Sequence, residues 1–428
     1  MSAQNLLYSL PNELLVAIAS SGQEDRVADL TSPHSAWPTQ PTAFCSEWTL
    51  SHLSHRFRDV IVGASELWKL TEANLATEGS VEIFKLYLER SRACKISVTL
   101  REFPEGNIIG SGLPMRTGQI IVAHLKRIWS LRILVRTCAG GANMLGLFRD
   151  AAAPQLQHLE AICHPDENRP DGGFFSFGAP RLSLLKIEGF TLQPATLWTP
   201  SLTHLELRRV RFDDTTLAAI NQCPSLAHLH LDMDYVYTST RLHLPTMKSL
   251  HLLIPKGGAD YLPWFLKNFD APALTELTVE GSHGDQIASL FSRTSFLGST
   301  FPVLTSVSFV FRCSCTCETD PDCTPQHTIS SPPAVFPALS HLTLINQCFT
   351  HTLIQDILGP ASHPWPLLKS VTVCPIKGSL ENVCSTLADT VKGKRERGQP
   401  LPKIRLLRPP VSFENWVESS SMDVRMLW

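Results

Sequence analysis

The sequence predicts an α/β protein: a right-handed solenoid of strand-and-helix repeats, curved into a horseshoe, preceded by a small all-α module. Three observations carry that expectation. One eight-residue pattern recurs nine times between residues 154 and 373. Helix-like stretches separate its copies. Residues 1–72 contain no copy and instead hold two amphipathic segments with helical spacing.

The first of those segments is LPNELLVAIAS, from Leu10. Pro11 suits a helix start, where its missing amide would find no partner anyway, and Glu13 favours the positive end of the helix dipole. Leu14, Leu15 and Ile18 then share one apolar face. The second segment runs from about Glu47 to Val62, with Leu50, Leu53, Phe57, Val60 and Ile61 at three- and four-residue steps. Leu67 and Trp68 follow closely. Between the segments, residues 21–46 are rich in Pro, Ser and Thr and are expected to be an inserted loop.

The repeat reads Pro-x-(Leu/Met)-x-x-(apolar)-x-(apolar): PQLQHLEA from Pro154, PRLSLLKI from Pro180, PSLTHLEL from Pro200, PSLAHLHL from Pro224, PTMKSLHL from Pro245, PALTELTV from Pro272, PVLTSVSF from Pro302, PALSHLTL from Pro337 and PLLKSVTV from Pro366. Its prolines lie 20 to 35 residues apart, the spacing of leucine-rich repeats. An apolar-x-apolar tail alternates as a strand does, and the leading proline lacks the amide that a strand interior would need, so each copy is a turn and then a strand. Helices are expected at DDTTLAAINQC from Asp213, YLPWFLKNF from Tyr261, DQIASLFSR from Asp285 and TLIQDILG from Thr352. No copy can bury its own apolar side chains, so only a stack of copies folds.

The repeat domain is expected to span 73–410. Residues 91–150, with KISVTL from Lys95 and LRILVR from Leu131, form degenerate capping repeats at its start. SLENVCSTLADTVKG is a helix and LPKIRLL a last strand; 411–428 is a tail.

At its N-terminus the chain resembles the F-box family, whose members open with Leu-Pro-x-Glu-Leu, as Leu10 to Leu14 do, and close with an Arg-rich helix running into Leu-Trp. The fungal, basidiomycete-type branch is the nearest likeness, since His55, Arg56, Phe57, Arg58, Asp59, Val60 and Ile61 reproduce the latter half of its second helix. His52 and Ser54 stand where that branch often has Cys or Val. The resemblance implies that Leu10, Pro11, Leu14, Leu15, Ile18, Leu53, Phe57 and Trp68 build or flank a surface that grips the Skp-type adaptor of a cullin ubiquitin ligase. It implies a non-catalytic substrate-recognition subunit whose repeats hold a target protein. An adaptor-independent leucine-rich-repeat scaffold is the alternative, with the helices serving as a plain cap.

Composition agrees with a folded binding protein. Apolar residues make up 43% and charged residues 18%. Lys+Arg 37 against Asp+Glu 39 leaves a formal charge of −2, which offers no broad basic field for nucleic acid. No apolar run reaches the roughly 18 residues of a membrane helix, and MSAQNLLYSLPNELL lacks the character of a signal peptide. Twelve scattered cysteines read as reduced thiols, so the expected location is the cytoplasm, the nucleus or both.

Alternation decides which repeat residues face outward. With the apolar fifth and seventh offsets from Pro inward, the fourth, sixth and eighth form the concave face. That places His158, Glu160, Lys186, His204, Glu206, Arg208, His228, His230 and Asp232 on the target-binding face, with Glu188, His251, Glu276, Glu280 and His341 alongside. The histidines read as a ladder between neighbouring strands. Cys313, Cys315, Cys317, Cys323 and His327 crowd one acidic stretch, but Cys-x-Cys spacing is not that of a zinc knuckle, so no metal and no cofactor is expected. The KGKRER run from Lys392 reads as a solvated helix end. No phosphate loop, GxGxxG, HExxH or GxSxG motif occurs, and no catalytic residue is assigned.

Overall fold

The computed structural model describes residues 10–31, 46–102, 112–135, 138–163, 171–192, 200–210, 214–232, 240–254, 261–281, 301–311, 336–345, 367–374, 380–398 and 401–407. The fold is α/β, and thirteen strands in chain order make one parallel sheet. The chain divides into two compact units between Arg132 and Ile133.

The first unit begins with α1 (Asn12–Thr31), α2 (Ser46–Ser51) and α3 (His55–Gly63), then a 3-10 turn at Ser65–Trp68. Next come β1 (Leu70–Asn74), α4 (Glu78–Arg90), β2 (Ile96–Arg101) and α5 (Leu113–His124), and the unit's boundary falls within β3 (Ile128–Val135). β1 pairs parallel with β2, Leu70 opposite Ser97. Two expectations are corrected here. The helix expected from Glu47 to Val62 is two helices, because Ser54 leaves helical geometry (φ −161°, ψ 168°) and its hydroxyl accepts from the Phe57 amide as an N-cap. The loop expected from residue 21 is helical as far as Thr31, and the buried Gln23 side chain secures that helix by donating to Leu67 O across 2.6 Å.

One core cluster of this unit is Ala19, Ile61, Leu67, Trp68 and Tyr87, joined by Val16, Trp48, Leu50, Val62 and Ala64. Tyr87 stands edge-on to Trp68 at 4.8 Å and donates its hydroxyl to Glu47 Oε1 at 2.8 Å. A residue of α4 thus completes the packing of the N-terminal helices.

The second unit contains α6 (Cys138–Arg149), β4 (His158–Cys163), β5 (Asp171–Gly172), β6 (Leu184–Glu188), β7 (Thr191–Leu192), β8 (His204–Arg208), α7 (Asp214–Asn221) and β9 (His228–Asp232). It continues with β10 (Leu242–His243), β11 (Ser249–Ile254), α8 (Tyr261–Lys267), β12 (Phe269–Asp270) and β13 (Glu276–Gly281). β14 (Ser306–Phe311), β15 (His341–Ile345), β16 (Ser370–Cys374), α9 (Leu380–Glu396) and β17 (Lys403–Leu406) complete it. β5 pairs with β7 and β10 with β12 as separate two-stranded ribbons. The helices expected from Asp285 and Thr352 lie outside the described residues, as does the tail. In α9, Lys392 and Arg395 are exposed but Lys394 is buried, so the basic run is not wholly solvated.

Sequence dictates this unit copy by copy. The amide of the Leu or Met at the second offset donates to the carbonyl just before the proline: Leu156 to Ala153, Leu182 to Ala179, Leu226 to Cys223, Met247 to Leu244 and Leu274 to Ala271. Each is a β-turn with Pro at its second position, where the fixed φ is already correct. The strands then pair parallel in one register, so that Leu185, Leu205, Leu229, Leu250 and Leu277 lie side by side. Those residues and the next inward row, Ile187, Leu207, Leu231, Leu252 and Val279, are at most 2% exposed. Hydroxyls at the third offset bind one copy to the previous one: Thr203 Oγ1 to Ser183 O at 3.0 Å, Thr275 Oγ1 to Lys248 O at 3.0 Å and Ser340 Oγ to Thr305 O at 3.1 Å.

Candidate functional site

Two surfaces carry the candidate residues. In the first unit, α1 packs on α2 and α3, and the sequence-predicted set divides between inside and outside. Leu15, Phe57 and Trp68 are interior, at 2%, 4% and 0% exposure. Leu14 and Ile18, one turn apart on α1, are each 49% exposed, and Leu53, in the break before Ser54, is 55% exposed. Pro11 is exposed and lies just outside the helix, where its carbonyl accepts from the Leu15 amide; Leu10 is half-buried. Arg56 Nη2 donates to the Leu10 carbonyl and to Asn12 Oδ1, fixing the start of α1 to α3. The interior side chains therefore position the helices, and Leu14, Ile18 and Leu53 are the ones available to a partner.

The second surface is the outward side of β4, β6, β8, β9, β11 and β13. Its polar side chains meet one another across the strands. Lys186 Nζ lies 3.1 Å from Glu160 and 3.7 Å from Glu206, and Arg208 Nε lies 2.6 Å from the same Glu206 carboxylate. His230 Nδ1 is 3.9 Å from Glu206, and His251 Nε2 is 3.2 Å from Glu280. His230 and His251 stack with 4.0 Å between ring centroids, and so do His204 and His228 at 4.3 Å. His228 Nδ1 meets Ser249 Oγ at 2.7 Å, and His341 Nδ1 meets Ser370 Oγ at 2.7 Å. Adjacent strands in one register bring equivalent offsets about 4.8 Å apart, which is why the rings four offsets from Pro, His204 and His228, stack, and so do those six offsets from it, His230 and His251. The histidine ladder expected from the sequence is present between these strands.

The outward face is less open than alternation alone suggests. Glu160, Lys186 and Asp232 are buried, and His158 is half-buried, while His204 is exposed and Glu206, Arg208, His228 and His230 are intermediate. Long paired side chains shield one another's methylenes, so a charged ladder buries residues that a simple inward–outward alternation leaves in water. Exposure falls towards the ends of the strands, where Asp232 and Glu280 sit. Partial burial lowers the pKa of His204, and the neighbouring His228 charge lowers it further. Burial also lowers that of His228, against the field of Glu276 and with that of Lys248.

Among the described residues no group of three or more His, Cys, Asp or Glu is placed to hold a metal ion, and no helix is long and apolar enough to cross a membrane. The cysteine-rich stretch from Cys313 to Cys323 lies outside the described residues. The chain matches no protein-family model and no curated protein.

Proposed function

We propose that the chain is a substrate-recognition subunit of a Skp–cullin–F-box type ubiquitin ligase, acting in the cytoplasm, the nucleus or both. The N-terminal helices would form an F-box-like module that docks the adaptor. The repeats would form a right-handed leucine-rich-repeat horseshoe whose outward strand face holds a target protein. Such a subunit performs no chemistry; it raises the effective concentration of the target near the ligase's catalytic partner.

The observation that carries this reading is the exposure of Leu14, Ile18 and Leu53 on a module whose own core is filled by Leu15, Phe57 and Trp68. Exposed leucines and isoleucines beside a completed core suit an apolar contact with a partner. They include the last leucine of the Leu10–Leu14 motif that carries the F-box resemblance. The parallel sheet of in-register repeats supports the solenoid part of the reading.

The test is co-purification of the full chain with a Skp-type adaptor, comparing the parent with Leu14→Asp/Ile18→Asp/Leu53→Asp. These positions lie outside the core, so the variant is expected to keep the parent's circular dichroism and to lose the adaptor. A folded variant that retains the adaptor, or a parent that binds none, leaves the adaptor-independent scaffold as the better description.

A further inference from the structure

We propose that the open edge of β17 takes up an extended segment of a partner protein in which apolar and acidic residues alternate. The inference requires neither the adaptor nor the proposed target-binding role of the outward face beside it.

β17 is the last strand of the sheet, and among the described residues no strand pairs with its far edge. The amides of Lys403 and Leu407 donate towards β16, to Lys369 O at 2.7 Å and Val373 O at 2.8 Å. Alternation turns the amides and carbonyls of Ile404 and Leu406 the other way, where a further strand would meet them. The inward rows are unfinished at the same place. Ile404 and Leu406 are half-buried, whereas Val371 and Val373, paired with them on β16, are at most 1% exposed. A neighbouring strand with apolar residues at alternate positions would complete both rows.

Charge supplies the other half of the pattern. The segments 301–311, 336–345, 367–374 and 401–407, which carry the last four strands and their turns, contain no Asp or Glu. Their cations are Lys369, Lys403 and Arg405. All three are exposed, and none makes an ion pair with a described residue, the exposed Asp389 and Glu396 of α9 included. Further along the sheet, by contrast, Lys186 is held by Glu160 and Arg208 by Glu206. Lys403 and Arg405 lie two residues apart and so share one side of β17, where acidic residues at alternate positions of an added strand would meet complementary charge. A second copy of β17 would bring like charges together, which disfavours self-pairing. A nucleic acid would supply the charge but neither the strand backbone nor the apolar rows.

The experiment measures fluorescence anisotropy of the full chain with labelled alternating Val-Glu, Val-Lys and Gly-Glu decapeptides. The Val-Glu peptide is expected to bind and the Val-Lys peptide not. The Gly-Glu peptide, with the charge but not the apolar rows, is expected to bind at least about tenfold more weakly than Val-Glu. Lys403→Glu/Arg405→Glu, at two exposed positions, is expected to weaken Val-Glu binding at least about tenfold, because attraction becomes repulsion. The same variant is expected to gain Val-Lys binding, which would also show that it is folded. Val-Glu binding that is matched by Val-Lys or by Gly-Glu, or that is unchanged in the double variant, overturns the inference. A photo-crosslinking residue in place of Leu407 tests the other occupants. Links formed without peptide to residues 411–428 of the same chain, or to a second copy, show an edge already closed and overturn the inference as well.

Discussion

Trp68 is fully buried, and its indole Nε1 donates to the carbonyl oxygen of Ile61 across 2.9 Å. Ile61 lies in the last turn of α3, where its carbonyl otherwise accepts only a long 3.3 Å bond from the Ala64 amide, so the indole both fills the core of the first unit and strengthens a helix end. Arg90 lies over the same ring, 4.4 Å from its centroid.

Trp68→Ala is expected to destabilise the first unit by about 3–5 kcal/mol, the range for removing a buried large aromatic. Trp68→Phe keeps most of the apolar volume but removes the donor, and is expected to cost about 1–2 kcal/mol. Urea unfolding followed by circular dichroism measures both. Equal losses for the two variants would show that the hydrogen bond, and not the volume, dominates.

Gly189 and Gly178 both have positive φ, +78° and +97°, but differ in what an added methyl would meet. At Gly189 a Cβ would fall 2.1 Å from the carbonyl oxygen of Cys163, the last residue of β4; at Gly178 nothing lies within 4 Å. Gly178→Ala is expected to cost about 1 kcal/mol, the conformational term alone. Gly189→Ala is expected to cost at least about 3 kcal/mol, because strain and a backbone clash combine. Similar unfolding midpoints for the two variants would rule out the approach to Cys163 as the cause.

His204 and His228 bind protons more weakly in the folded chain than at the ordinary value of 6.5. The unfolded chain therefore binds more protons in the window just below 6.5, so stability rises with pH through that window and is lost as the pH falls from 6.5 towards the folded values. His204→Gln/His228→Gln is expected to reduce the loss between pH 6.5 and 5.5. Urea midpoints at pH 7.5, 6.5 and 5.5 provide the check, and an unchanged slope would place the titration elsewhere.

Cys223 and Cys374 are buried, and burial pushes both thiols up to about 11. Cys384 in α9 is exposed. Iodoacetamide at pH 8 is expected to alkylate Cys384 in the folded chain and to reach Cys223 and Cys374 only after denaturant is added, since the thiolate is the reacting species. Peptide mass mapping reads the order of labelling. Early modification of Cys223 would show that α7 and the turn after it open under native conditions.

The repeats were legible because they use the two strongest local signals together, proline at a turn and period-two alternation. The residue before each proline was missed, though Ala153, Cys223, Leu244, Ala271, Phe301 and Phe336 are all buried there, because only the turn geometry reveals that this position points inward. β1 was missed as well: LTEAN has one strongly apolar residue and no proline, and it is a strand because β2 offers it a pairing edge. At the N-terminus the helical period was plain but the break at Ser54 was not, since Leu50, Leu53, Phe57 and Ile61 keep the spacing of one unbroken helix. Which leucines face water was beyond a one-helix pattern, because Leu14 and Leu15 differ in exposure only through what packs on α1.

The in-register pairing of the strands has a consequence for how this chain can change. Proline spacings range from 20 to 35 residues, yet His204 faces His228, Ser249 faces Glu276 and Ser306 faces His341 without any slip. Alignment is restored at every proline turn, so the length of a connector has no bearing on it. A connector can gain or lose residues without moving any side chain of the outward rows, and a whole copy can be duplicated or deleted with each row simply one residue longer or shorter. Variation in length and variation in the outward columns are thereby separated. Selection can enlarge the edge of the sheet while holding its face constant, or alter one column of the face while leaving every connector as it was.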